Sequence, residues 1–254
     1  MLDTIRHGSI FELRLNRPPA NALDPELIGA LRRALVGAPG EGAQAVVLSG
    51  APRMFSAGLD VPALLPLSRD EIRAVWRDFY ALMQAIARCS VPIAAAIGGH
   101  SPAGGAVLAL FCDYRVMADG DFTIGLNEVR VGLPLPPVIH AALERLVGAH
   151  QAARLGMAGL MIEPREAHRI GLVDEVVPME QVEEIALHWC HELLALPRRA
   201  MMETREMGRR SLVELFERGD EAREIEGLVE RWFSDETRGA MRALIERLAA
   251  KKQA

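Results

Sequence analysis

Apolar and polar residues alternate through Ile10-Phe11-Glu12-Leu13-Arg14-Leu15, and this period of two predicts a half-buried strand. After a Pro-broken loop from Asn16 to Asn21, Asp24-Pro25-Glu26 reads as a helix start, with Asp as N-cap, Pro in the first helical position and an acid in the first turn. Ala45 to Leu48, Pro92 to Ile97, Asp113 to Ala118 and Val173 to Val177 are short apolar runs with the length of buried strands. Ser68-Arg69-Asp70-Glu71 fits a capping box and opens a long helix to about Arg88. Gly98 to Gly105 reads as a turn leading into a small-residue helix from Ala106 to Phe111. From Met179 the pattern is helical and charged, with breaks near Pro197 and Ser234. Strands interleaved with helices, then a helical tail, predict an α/β body over residues 1–195 and a helical C-terminal region over 196–254. No sequence repeat stands out.

The bulk properties narrow the functional classes. The chain has 254 residues and is half hydrophobic, enough to bury a sizeable core. A net charge of −5 argues against a general electrostatic grip on nucleic acid or an anionic membrane. Cys89, Cys112 and Cys190 are far apart and form no CxxC pair, which suits a reducing compartment without structural zinc. The first fifteen residues carry no apolar signal core, and no apolar run reaches transmembrane length. A cytoplasmic location is expected.

Two glycine-bearing turns, Ala57-Gly58-Leu59 and Pro102-Ala103-Gly104-Gly105, each follow a strand candidate. If they converge, each can aim a backbone N–H at one oxygen, which makes an oxyanion hole; the alternative is two ordinary tight turns. Gly99-His100-Ser101-Pro102-Ala103 imitates a serine-hydrolase elbow, but the residue after the serine is Pro102 and has no N–H to donate. His188, His191 and Glu192 share a predicted helix without the HExxH spacing or a third ligand, and read as surface residues. Glu128 stands in Gly125-Leu126-Asn127-Glu128-Val129, with no other acid between Asp121 and Glu144. It is either a desolvated general base or an exposed loop carboxylate. Long apolar residues between Leu64 and Met83 read as helix core, with an acyl pocket as the alternative.

Together these segments resemble the crotonase superfamily, the enoyl-CoA hydratases and isomerases. Asn16 to Leu23 is similar to the family's first CoA-binding loop, Phe55 to Asp60 to its first oxyanion loop, and Pro102 to Gly105 leading to Cys112-Asp113-Tyr114-Arg115 to its second. Gly171-Leu172-Val173-Asp174 matches a further family segment. The resemblance implies a spiral of ββα turns with a helical C-terminal trimerisation region, assembled as a homotrimer or hexamer. It implies that the N–H groups of Leu59 and Gly104 hold a thioester oxygen. Binding of the acyl-CoA substrate is implied for Ala20, Ala22, Ala57, Gly58, Asp60 and Asn127. Arg247 falls where some members offer a lysine from a neighbouring subunit to the CoA phosphates, with Arg17 and Arg53 as alternatives. No metal or redox cofactor is implied, since CoA is part of the substrate.

The departures sharpen this expectation. The family's hydratases carry two glutamates; Glu128 matches the second, but counting back five residues from Cys112 to the first reaches Val107. Ile124 to Glu128 resembles the mitochondrial-type Δ3,Δ2-enoyl-CoA isomerases. Dienoyl-CoA isomerases add an aspartate eight residues after this glutamate, where Pro136 stands here. The implied activity is movement of a double bond from C3 to C2 by Glu128 alone, with Val107 keeping its side of the pocket dry. Enoyl-CoA hydration, thioester hydrolysis and non-catalytic acyl-CoA binding are the alternatives.

Overall fold

In a computed structural model that describes residues 1–217 and 219–253, the chain winds two parallel sheets side by side. The larger has six strands in the order β1 (Leu2–His7), β2 (Ile10–Leu15), β3 (Ala45–Ser49), β5 (Ile93–Ile97), β7 (Tyr114–Ala118) and β9 (Glu175–Val177). Only the β1–β2 hairpin is antiparallel. The smaller sheet pairs β4 (Arg53–Met54), β6 (Gly99–Pro102) and β8 (Ile124–Gly125) in parallel. Three consecutive pairs, β3–β4, β5–β6 and β7–β8, thus each send one strand to either sheet, which is the expected spiral.

Local chemistry explains the elements. In α1 (Pro25–Gly37), Asp24 accepts the Leu27 N–H as N-cap and Pro25 occupies the first turn. In α3 (Arg69–Ala87), Ser68 and Glu71 complete a reciprocal capping box. The apolar runs 45–49, 93–97 and 114–118 are buried on both faces, as parallel strands under helical cover must be. Helix α8 (Val182–Leu194) lies against β3, β5 and β7.

Three readings of the sequence need correction. Strand β2 is not half-buried: Glu12, on its polar face, is 1% exposed. Burial opposes its ionisation. Hydrogen bonds with Ser49 Oγ (2.6 Å), His7 Nε2 (2.9 Å) and Arg14 Nε (2.9 Å) outweigh that and hold its carboxyl below the ordinary range. The segment 98–105 is mostly not a turn, because Gly99–Pro102 is strand β6 and the reversal is confined to Ala103. Its helix, α4 (Gly104–Leu110), starts two residues earlier than the apolar pattern suggested. The short strands β4 and β8 leave no periodic signal because two residues cannot show a period.

The helical region after residue 195 contains α9 (Arg198–Glu214), α10 (Glu221–Trp232) and α11 (Asp235–Gln253), with breaks at Pro197 and Ser234 where the sequence placed them. It is fastened to the core by charge. Asp113 accepts from Ile93 N (2.8 Å), Arg205 Nη2 (2.9 Å) and Arg209 Nη1 (2.6 Å), and Arg209 also caps the carbonyls of Ile86, Ala87 and Phe111. Both guanidiniums are about nine-tenths buried. Removing the carboxylate strands two buried cations, which costs about 3–5 kcal/mol. Asp113→Ala is therefore expected to lower the urea midpoint by that equivalent; a loss under about 1 kcal/mol would show that the Asp113 carboxylate does not hold the helices.

Candidate active site

The two glycine turns converge. A Cβ placed on Gly58 would stand 2.7 Å from the Gly104 nitrogen, and one on Gly104 would stand 3.0 Å from Gly58 Cα and 3.3 Å from the Leu59 nitrogen. A side chain at Gly58 would clash and one at Gly104 would be tight, and Gly58 also has a φ of 79°. Ala103 is held at φ 45°, an uncommon conformation for a residue with a side chain, at the reversal that turns the Gly104 N–H out of β6. The N–H groups next to these two take part in the fold: Gly58 N donates to Ser56 Oγ (3.2 Å), Asp60 N to the Leu23 carbonyl (3.0 Å) and Ala103 N to the Gly125 carbonyl (2.8 Å). No such bond engages the Leu59 or Gly104 N–H among the described residues, and Leu59 and Gly104 both line one cavity of about 100 Å3. Two free donors side by side in a pocket suit a developing oxyanion.

The first loop is stitched to this place. Ala57 N donates to the Ala20 carbonyl (2.9 Å), Ser56 Oγ to the Asn21 carbonyl (2.7 Å) and Asn21 Nδ2 to the Phe55 carbonyl (3.1 Å). Arg17 joins the two N-caps that flank the turn. Its Nε meets Asp24 (2.9 Å), its Nη1 meets Asp60 (2.7 Å), and Nη1 also donates to the Ala22 carbonyl (3.1 Å). Asp60 in turn accepts the Ala63 N–H as N-cap of the short helix α2 (Val61–Leu64). Arg17 is thus committed to two carboxylates, which argues against its alternative reading as a phosphate ligand.

Glu128 lines the same cavity as the two donors. It opens a 3-10 turn, Glu128–Val131, behind strand β8. Its Oε2 is buried and has no hydrogen-bond partner among the described residues. Burial without a cation pushes its carboxyl up to about 7, against a smaller opposing effect of its own backbone N–H. Among the described residues it is the one ionisable side chain lining the cavity, whose other walls include Leu59, Val61, Val131, Leu133 and Ile139. Pro136 also lines it, so the place of a dienoyl-type aspartate is part of the wall and holds an apolar residue.

Of the residues expected at the site, the structure brings together Glu128, Leu59, Gly104, Gly58, Ala57 and Asn127. Ala20, Ala22 and Asp60 stand one layer back, in the loop that supports the hole. Arg247 lies exposed on α11, donating to the Ala243 carbonyl of its own helix, and this single chain does not bring it to the cavity. Val107 is fully buried in α4 and does not line the cavity. The dryness attributed to it comes from other residues. Trp76 and Phe79, within the stretch read as helix core, both line the site, while Ile72, Leu82 and Met83 are core. The sequence reading does not reach Trp232 or Leu244; the one signal for Trp232 is the apolar face of α10, Ile225, Leu228, Val229 and Trp232. Ser101 is wholly buried in β6. His188 and Glu192 pair at 3.5 Å on the surface, and no cluster of three metal-type ligands occurs among the described residues.

The enoyl-CoA hydratase/isomerase family matches residues 6–251. The chain belongs to that family. Within it, the chain is 31% identical over 243 residues to human mitochondrial enoyl-CoA delta isomerase 1, covering 94% of this chain and 80% of that one. It is 32% identical to a probable enoyl-CoA hydratase of Mycobacterium avium, over 78% of this chain and 77% of that one. The crystal structure of human mitochondrial Δ3-Δ2-enoyl-CoA isomerase superposes with a TM-score of 0.93 at 29% identity, over 99% of both chains. The crotonase-type fold and the family assignment drawn from the four motifs therefore both hold.

A raised carboxyl has a consequence for stability. Glu128 ionises near pH 7 when folded and near 4.5 when unfolded, so the folded state binds the extra proton between those values. Its contribution is fully present below pH 4.5 and is lost as the pH rises through 7, at a cost on the order of 3 kcal/mol above that. Glu128→Gln, which cannot ionise, is expected to be more stable than the parent at pH 8 by roughly 1–3 kcal/mol, with the gain gone below pH 4.5. Equal thermal midpoints for the two proteins at pH 8 would mean the carboxylate is solvated.

Proposed function

We propose that the protein is a Δ3,Δ2-enoyl-CoA isomerase. The observation that carries this reading is a desolvated carboxyl in the same cavity as two free backbone N–H groups, with no second acid lining it among the described residues. Ionised Glu128 removes a proton from C2 of a 3-enoyl thioester. The electron pair moves onto the thioester oxygen, where the Leu59 and Gly104 N–H groups stabilise it. The C3–C4 double bond is conjugated with this enolate, so the same carboxyl returns its proton at C4 and the 2-enoyl thioester forms. No atom is gained or lost. A pKa near 7 suits both halves, since the group must accept and then donate at neutral pH. Hydration would require a positioned water and a second acid, and the apolar walls supply neither.

The purified protein incubated with 3-hexenoyl-CoA is expected to yield 2-hexenoyl-CoA without change of mass. Glu128→Gln is expected to lower the rate by at least ~10²–10⁴, the range of a general acid/base. The kcat/KM of the parent is expected to rise with pH through about 7 and then level off, because C2 deprotonation needs the ionised carboxyl. Gain of one water by 2-hexenoyl-CoA at a comparable rate would replace this reading with hydration; near-full activity of Glu128→Gln would remove the carboxyl from the mechanism.

The family resemblance also supports a homotrimer or hexamer in which Arg247, exposed on α11, serves the CoA phosphates of a neighbouring subunit. Light scattering is expected to give three or six times the 27.8 kDa chain mass. Arg247→Ala is expected to raise KM for the CoA ester with little effect on kcat. A monomer that turns over normally would exclude this role.

A further inference from the structure

Among the described residues, no other side chain holds the Glu128 carboxyl in place. Its Oε2 has no partner, and the one hydrogen bond that bears on the carboxyl comes from its own backbone N–H. The place of the base is therefore set by the 3-10 turn Glu128–Val131. That turn is closed locally by the N–H groups of Gly132 and Leu133, which both reach the Glu128 carbonyl, at 3.2 Å for Leu133. The Gly132 carbonyl finds no donor in the chain that follows. Pro134, Pro136 and Pro137 have no N–H, and no backbone N–H donates to it among the described residues. Its donor stands 105 residues away in the chain, at Thr237 Oγ1 (2.8 Å). Thr237 is wholly buried in the first turn of α11, its own N–H bound to Ser234 Oγ (3.3 Å). The two backbones touch there, since a Cβ on Gly132 would stand 2.9 Å from Thr237 Cα. About two helical turns on, Leu244 lines the cavity, so one face of α11 both fastens the turn and walls the site. Valine would fill the space of Thr237 without a hydroxyl; the hydroxyl is what the carbonyl requires.

We propose that Thr237 is a positioning residue for the general base: its hydroxyl, fastened to the Gly132 carbonyl, fixes the turn that holds the Glu128 carboxyl at the cavity wall and keeps water from it. The inference rests on the acid/base reading of Glu128. The charged or titratable side chains on the elements packed against the turn are Arg130 on the turn itself, Asp235, Glu236 and Arg238 at the start of α11, and His150 and Arg154 on α6 (Ala149–Ala158). None of them lines the cavity, and no charged neighbour contributes to the raised carboxyl of Glu128. A change in the titration of Glu128 therefore reads its hydration rather than a displaced charge.

Two variants of the full chain separate the hydroxyl from the space it fills. Thr237→Val removes the hydroxyl and keeps the shape, and Thr237→Ser keeps the hydroxyl. With 3-hexenoyl-CoA, Thr237→Val is expected to lose roughly 10–100-fold in kcat, the cost of a small misplacement, with KM little changed. Thr237→Ser is expected to stay close to the parent. The pH midpoint of kcat/KM, near 7 in the parent, is expected to fall toward the ordinary carboxylate range in Thr237→Val, because a loosened turn admits water to the carboxyl. A Thr237→Val protein with a lowered thermal midpoint but the parent's kcat and pH midpoint would overturn the inference, leaving Thr237 a purely structural role. It is equally overturned if Thr237→Ser is as impaired as Thr237→Val, since packing of the methyl group would then be the cause. Should Thr237→Val not fold, Thr237→Ala takes its place with the same expectations. Carbon-13 NMR titration of the Glu128 carboxyl, assigned by the signal lost in Glu128→Gln, reads the same shift without turnover. If the parent does not isomerise 3-hexenoyl-CoA, the isomerase reading falls and this titration still decides the role of Thr237: a midpoint lowered in Thr237→Val but not in Thr237→Ser sustains it, and equal midpoints in all three proteins overturn it.

Discussion

The contact of two backbones at Gly58 and Gly104 constrains the rest of the molecule. Gly58 leaves no room for a Cβ and Gly104 almost none, because the other turn is already there. That proximity is available only where two turns of the spiral are neighbours, and the smaller sheet makes them so by pairing β4 with β6. The Leu59 and Gly104 N–H groups are free because their neighbours are engaged: Gly58, Asp60 and Ala103 spend their donors on the fold. An oxyanion hole built this way needs no side chain. Its precision comes from the sheet behind it and from Arg17, which ties the capping carboxylates Asp24 and Asp60 on either side.

The electrostatics of the cavity follow from what surrounds that contact. Every other acid with a stabilising role is paired: Glu12 with Ser49, His7 and Arg14, and Asp113 with two arginines. Glu128 is buried without such a partner, and its carboxyl moves up to about 7 for that reason. Desolvation raises Glu128, while Glu12, 1% exposed, ends with a lowered carboxyl because three hydrogen-bond donors meet it. The contrast separates a structural carboxylate from a reactive one more reliably than position in the sequence does.

Much of this was legible in the sequence. The capped helices α1 and α3, the all-apolar strands, both glycine turns and Glu128 left local signals, because each depends on residues next to one another in the chain. What the sequence hid depends on contact at a distance. Glu12 reads as a solvent-facing position in an alternating strand, and only the groups brought over it, Ser49, His7 and Arg14 with Glu183 of α8, reveal that its face is closed. Val107 was assigned the drying of the pocket by counting back from Cys112. The helix carries it into the core instead, and residues from six other helical elements line the cavity.

The C-terminal helices belong to this argument. Trp232 and Leu244 close the cavity from beyond residue 195, and the closure is held by Thr237 Oγ1 on the Gly132 carbonyl (2.8 Å) and Arg238 on the Leu65 carbonyl (2.7 Å). Those carbonyls lie on the two segments that flank the site, after Glu128 and after Leu59. A region that reads as an assembly appendage is therefore also the roof of its own chain's cavity. The division at residue 195 separates two patterns of sequence but not two functions: without α10 and α11 the walls that desolvate Glu128 would be open, and its carboxyl would return toward the ordinary range.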